Sequence, residues 1–381
     1  MFLKFCLFSI CLQIAQFAWS QTDINATMET KALYKRLLNI SQGLRTKQRI
    51  LIGQQNAFNE GRGWRHNNND LGSPLKSDMQ EVAGVHPAVY GVDFNEIGHW
   101  NEDFIKERIE LVVQAKGIFT LSWHMKAWVK DGRGDESSKD TTTKVTARIL
   151  PGGDHHEKYK LELDRLVTFM KSISHIPVIF RPFHEHNGYW FWWGQLKTSE
   201  KEYIALWRMT IDYLREKGVH NMLLAYSPAE GAIYANYLDR YPGDDYVDIF
   251  GIDMYFRSKL SDLFEHGNVS PLYRWKRSTI NLLKLASARK KIPALTEFGQ
   301  EGVTYNKFWT DYMSWPMERD GMLQYINYED LPELGYAYAM LWRNDISDPK
   351  HYYGPIPNHK NNKNFMEMLS KGIYLGLEVD N

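Results

Sequence analysis

Eight short apolar runs recur along the chain, and amphipathic stretches separate them. ILIGQQ (Ile50–Gln55) is the first, followed by PAVYGVDF (Pro87–Phe94), GIFTLSWH (Gly117–His124) and PVIFRPFHE (Pro177–Glu185). NMLLAYSP (Asn221–Pro228), VDIFGIDMY (Val247–Tyr255), IPALTEFG (Ile292–Gly299) and GYAYAMLW (Gly335–Trp342) complete the set. The runs are continuous rather than alternating, as expected of parallel strands covered on both faces. Between them the spacing turns helical. Tyr159, Leu163, Leu166, Val167, Met170 and Ile173 share one face. A second helix is predicted from Ser199, whose spacing to Glu202 suits a capping box. Its inner face is Tyr203, Trp207, Ile211 and Leu214, and Gly218 can end it. Eight strand–helix units predict an α/β fold, the (β/α)8 TIM barrel. A doubly wound open sheet is the alternative, but no Gly-rich phosphate loop follows the first strand. No repeat or low-complexity linker divides the chain.

The N-terminus departs from this pattern. MFLKF precedes an apolar run from Leu7 to Ala18, and Ala18-Trp19-Ser20 offers small residues where a signal peptidase reads. Residues 1–20 are therefore expected to be a signal peptide, and 21–381 one catalytic barrel domain. The run is too short to span a bilayer comfortably. Both cysteines, Cys6 and Cys11, fall inside it. Cys11 as a lipid-attachment site is disfavoured, because Phe8 and Ile10 stand where small residues are expected. The expected product is exported, periplasmic or secreted, and rests on its core rather than on disulfides.

Composition narrows the ligand. Lys and Arg number 46, as do Asp and Glu, so net charge is zero. That argues against nucleic acid or an anionic membrane as partner. Trp numbers 13 and Tyr 22, which points to ligands with flat faces, of which sugars are the common neutral kind. A monomer is expected.

In a barrel, chemistry gathers at the C-terminal ends of the strands. There the sequence places Asp93, Asn95 and Glu96; Trp123 and His124; Arg181, His184, Glu185 and Asn187; Glu230; Asp253 and Tyr255; Glu297; and Trp342, Arg343 and Asn344. Glu185 and Glu297 end the fourth and seventh strands and would face each other across the mouth. Hydrolysis of a glycosidic bond needs such a pair. Glu185 suits the acid, with His184, Asn187 and apolar neighbours to tune it. Glu297, after the apolar Ile292–Leu295, suits the nucleophile. Trp190, Phe191, Trp192 and Trp193 follow at once. They cannot all face one ligand, so one or two are expected to line a cleft and the rest to pack beneath it. No metal or organic cofactor enters this chemistry. His155-His156-Glu157 is better read as a helix start than as metal ligands, since adjacent histidines point apart. HNNND at 66–70 reads as a polar loop with too few carboxylates for calcium.

RPFHEHNGYWFWWG (181–194) resembles the acid/base segment of glycoside hydrolase family 26, best known for β-1,4-mannanases. TEFG (296–299) is similar to its nucleophile segment, and SWH (122–124) and WRN (342–344) also match. The resemblance covers about residues 30 to 375. It implies a (β/α)8 glycosidase that retains anomeric configuration and acts on β-mannan or its oligosaccharides. By resemblance, Glu185 is the general acid/base and Glu297 the nucleophile. His184 contacts the nucleophile or the substrate, and Tyr255 hydrogen-bonds the nucleophile. His124 and Trp342 contact the sugar before the cleaved bond. Trp190 is the platform on the leaving-group side, and Arg181 holds the carboxylates. The implication leaves mixed-linkage β-glucan and β-1,3-xylan open as substrates. A non-catalytic glycan-binding barrel would be expected to lack one of the two carboxylates. The long loop with KDGRGDESSKDTTTK (130–144) fits no family pattern and leaves internal versus chain-end attack open.

Overall fold

A computed structural model describes residues 19–43, 49–67, 70–127, 129, 137–139, 142–230, 236–256, 271–314 and 334–377. Eight parallel strands form the centre: β1 Ile50–Gln55, β2 Val89–Asp93, β3 Ile118–Trp123, β4 Val178–Pro182, β5 Met222–Tyr226, β6 Ile249–Tyr255, β7 Ile292–Gly299 and β8 Tyr338–Leu341. Each pairs with its neighbour in sequence, and β8 returns to β1 through Leu51↔Tyr338 to Gln54↔Leu341. The sheet is thus a closed barrel with helices between its strands. Nearly every strand residue is buried, which is why the runs carry no polar alternation.

The helices cover the barrel with the faces the spacing predicts. Tyr159, Leu163, Leu166, Val167, Met170 and Ile173 are all buried at or beside the helix His156–Ser172. The helix Glu200–Glu216 begins with the reciprocal capping box of Ser199 and Glu202, and Gly218 follows its end at φ 80°. His155 and His156 stand at a helix start, where they contact Arg148, Asp154 and the Ile149 carbonyl.

Three details differ from the sequence reading. The fourth strand stops at Pro182, three residues short of Glu185, because Phe183 and Glu185 adopt φ 48° and 52°. That left-handed backbone cannot extend a strand. A short pairing of Tyr374–Leu375 with β1 flanks the barrel, and a small hairpin joins Glu60–Gly61 to Trp64–Arg65. Neither run is long enough to stand out by pattern.

Residues 1–18, with Cys6 and Cys11, lie outside the described residues, as do most of 130–141, Asn68 and Asn69 of the Asn-rich loop, and 257–270. Among the described residues no helix is long and apolar enough to cross a membrane.

Candidate active site

The end of β2 supplies Asp93, which binds the end of β3. Its Oδ2 accepts from Ser122 Oγ (2.9 Å), from the His124 backbone N–H (2.8 Å) and from His124 Nδ1 (2.7 Å). Its Oδ1 accepts from Asn95 N–H (3.1 Å), capping the turn Phe94–Ile97. Burial works against ionisation of Asp93, but the His124 charge and these donors outweigh it and hold the carboxyl below its usual range. Conversely, burial lowers the His124 pKa, yet Asp93 and then Glu297 raise it further.

Beyond β4 the chain turns sharply, and the two left-handed residues bring His184 and Glu185 over the barrel mouth. Glu185 N–H donates to Ser227 O (2.8 Å). The aromatic run fixes this turn from below. Trp193 Nε1 donates to His184 O (2.7 Å), and Trp192 Nε1 to Met125 O (2.8 Å). Phe191 stacks on Trp193 with centroids 4.4 Å apart. Phe191, Trp192 and Trp193 are buried, whereas Trp190 is 39% exposed and its Nε1 donates to Glu185 Oε2 (2.7 Å). Gly188 makes this possible, since a Cβ there would come within 2.5 Å of the Trp190 ring. Of the four rings from Trp190 to Trp193, one is therefore exposed and three are packed beneath it.

Across the mouth, Glu297 sits inside β7 at an irregularity. Ile252 pairs with Leu295 but Asp253 pairs with Glu297, so β7 carries one extra residue there. Such a bulge re-aims the side chains around it. Thr296 Oγ1 donates to Asp253 Oδ1 (2.7 Å), and Gly251 leaves room for Thr296. Arg181 Nη1 donates to Asp253 Oδ2 (2.8 Å), while its Nη2 donates to Glu297 Oε1. Tyr255 OH donates to Glu297 Oε2. Burial, then Glu297 and Glu185, push the Tyr255 pKa up, so the phenol keeps the proton it donates. His184 Nε2 lies 3.9 Å from Glu297 Oε1.

One carboxylate oxygen from each of Glu185, Asp253 and Glu297 lies within 4.8 Å of the others. Such a donor set can hold a cation, but the Arg181 guanidinium already bridges Asp253 and Glu297. Burial first and then the Glu297 charge raise the Glu185 pKa to about 7 against the Trp190 hydrogen bond. Burial also holds Asp253 well above its usual range despite Arg181. The two glutamates thus differ sharply. One has a single side-chain donor and holds a proton near neutral pH; the other is held by a guanidinium and a phenol.

An open cleft of about 1470 Å³ lies over this cluster. His124, His184, Glu185, Trp190, Tyr255, Glu297 and Trp342 all line it. Arg181 is buried beneath and reaches the cleft only through the carboxylates it holds. Three contributors escaped the sequence reading. Tyr353 packs against Tyr255 from the loop after β8, with centroids 5.3 Å apart. Arg240 donates to the carbonyls of His186, Trp193 and Thr198, tying down the Glu185 turn. His186 is buried between Tyr203 and Tyr226. None ends a strand, so position alone could not mark them.

The model of glycosyl hydrolase family 26 matches residues 22–322. A mannan endo-1,4-β-mannosidase from Bifidobacterium adolescentis is 34% identical over 307 residues, 74% of this chain. The match spans only 28% of that relative's length. Among solved structures, a family 26 β-mannanase from Bacteroides ovatus is 32% identical with a TM-score of 0.76. The alignment covers 93% of this chain and 96% of that one. The catalytic domain of an endo-β-1,4-mannanase from Bacillus sp. JAMB-750 is 30% identical with a TM-score of 0.79, covering 94% of each.

Proposed function

The chain belongs to glycosyl hydrolase family 26, and from that premise we propose that it cleaves β-1,4-mannosidic bonds in mannan or manno-oligosaccharides by retaining double displacement. The opposed settings of Glu185 and Glu297, with an oxygen of one within 4.8 Å of an oxygen of the other, carry this reading. Inverting enzymes need about 6.5–9.5 Å between their carboxyl groups to admit a water, whereas retaining ones need about 5–5.5 Å.

In the first step a Glu297 oxygen attacks the anomeric carbon. Glu185 gives its proton to the glycosidic oxygen as the bond to the leaving chain breaks. The resulting ester removes the Glu297 charge, which is one of the influences raising the Glu185 pKa, so Glu185 becomes a better base. It then takes a proton from water, whose oxygen attacks the anomeric carbon and releases Glu297. Arg181 and Tyr255 hold Glu297 in place for attack and for departure. Trp190 offers an apolar face to the leaving-side sugar, and Trp342 and His124 border the other side. The mannanase names of the relatives support mannan over glucan or xylan. We place the domain at 21–381, exported by a signal peptide at residues 1–20.

The test is hydrolysis of linear mannan and mixed-linkage β-glucan, with Glu297→Ala as control. The first product is read by NMR for its anomeric form. A β-product from mannan supports the reading, and an α-product overturns retention. Cleavage of glucan alone overturns the mannose assignment. Mixed product lengths indicate internal attack, and one short product from the outset indicates chain-end attack.

A further inference from the structure

Asp93 touches neither of the proposed reacting carboxylates. Its hydrogen-bond partners are Ser122 Oγ, the backbone N–H groups of Asn95 and His124, and His124 Nδ1, all donors. The last contact requires His124 Nδ1 to carry a proton. The opposite nitrogen, His124 Nε2, lies 3.2 Å from His184 Nε2. Two ring nitrogens at that distance share one proton. His184 Nε2 also lies 3.9 Å from Glu297 Oε1, and His184 Nδ1 is buried with no hydrogen-bond partner among the described residues.

The position of the shared proton therefore decides what His184 shows Glu297. On His184 Nε2 it makes an N–H donated to His124, and the carboxylate then lies beside a protonated nitrogen. On His124 Nε2 it leaves an unprotonated His184 Nε2 beside Glu297 and puts the other His184 proton on the buried, partnerless Nδ1, a costly orphan donor. Phe191 and Trp193 pack against His184, with centroids at 5.3 Å and 6.0 Å, so the ring cannot turn away freely.

We propose that Asp93 is a positioning residue for the hydrolysis: by holding His124 as the Nδ1–H form it makes His124 Nε2 an acceptor, which keeps a proton rather than a lone pair on His184 Nε2, beside Glu297. The proposal rests on Glu297 as nucleophile. A second proton on His124 reverses the arrangement, so activity should fall on the acid side. The charges that face His124 are Asp93, Glu96, Glu185, Glu297 and Arg181, with His184 beside it. Asp93 is the one in direct contact with its Nδ1.

Two variants separate charge from shape. Asp93→Asn keeps a carbonyl towards its three Oδ2 donors and loses the charge, and Asp93→Ala loses both. Each is compared with wild type for kcat and KM on linear mannan across pH. Long-range ¹H–¹⁵N spectra of ¹⁵N-histidine-labelled protein report the tautomers of both rings independently of turnover. With Asp93→Ala, His124 should become a tautomer mixture, and kcat should fall by about tenfold or more with little change in KM. With Asp93→Asn, the acid limb of kcat should move to lower pH, because the charge that favoured protonated His124 is gone. A lower melting temperature with tautomers and acid limb unchanged would make Asp93 a structural strut and overturn the proposal. If wild type fails to cleave mannan, the functional reading falls, and the tautomers still decide the role of Asp93.

Discussion

Glu185 and Glu297 stand on opposite sides of one cleft, and their surroundings are built in opposite ways. Glu297 lies within a fully buried strand and accepts from Arg181 and Tyr255. Glu185 lies just past a strand end, on left-handed backbone, with Trp190 as its side-chain donor. The contrast teaches that one residue type can be given two opposite electrostatic settings when donors and burial are distributed unequally. Donors favour a carboxylate; burial beside a second negative charge favours a carboxylic acid.

The comparison breaks most visibly in turnover. Glu297→Ala should lower kcat on mannan by about 10⁴-fold or more, as loss of a nucleophile does. Glu185→Ala should cost about 10²–10⁴-fold on mannan but much less on an aryl mannobioside, whose leaving group needs no proton. Equal losses for both variants on the aryl substrate would show that the roles are not divided. Tyr255→Phe removes one donor from Glu297 and should lower kcat about tenfold or more, read in the same assay.

The pH profile sharpens the contrast further. Glu185 must hold its proton for the first step, so kcat/KM should fall as pH rises through about 7. Trp190→Phe removes a hydrogen bond that favours ionised Glu185, so this limb should move to higher pH. A shift to lower pH would contradict the geometry.

Stability carries the smallest effect. The Glu185 pKa is about 7 when folded against 4.5 as the ordinary value. The folded state therefore binds more protons between these values, and stability falls as pH rises through that window. Glu185→Gln should relieve this cost above pH 7, raising the melting temperature by about 2–4 °C there and leaving it unchanged near pH 4. An equal gain at both pH values would assign the effect to packing rather than charge.

Much of this was legible along the chain. Strands buried on both faces must be apolar throughout, so the eight runs announced the barrel, and two of them, Ile50–Gln55 and Ile292–Gly299, coincide with the strands to the residue. Strand ends then located the polar residues that line the cleft, because in this architecture they share one face. Local hydrogen bonding made the Ser199–Glu202 cap readable, since both partners lie within one turn.

Other features depend on residues far apart in sequence, and only the fold decides them. The offset that aims Glu297 arises between β6 and β7, where Ile252 and Asp253 skip one residue of the neighbouring strand. The turn that lifts Glu185 needs left-handed backbone held by Trp193 and Arg240. The link from Asp93 through His124 and His184 to Glu297 joins the ends of β2 and β3, the turn after β4 and the interior of β7. Which rings are exposed and which are packed was equally closed to spacing, because Trp190 to Trp193 are adjacent in sequence and only packing separates them. Hydrophobic periodicity is a local property and determined the architecture; distances between side chains on different strands, and the proton positions those distances impose, exist only once the barrel has closed.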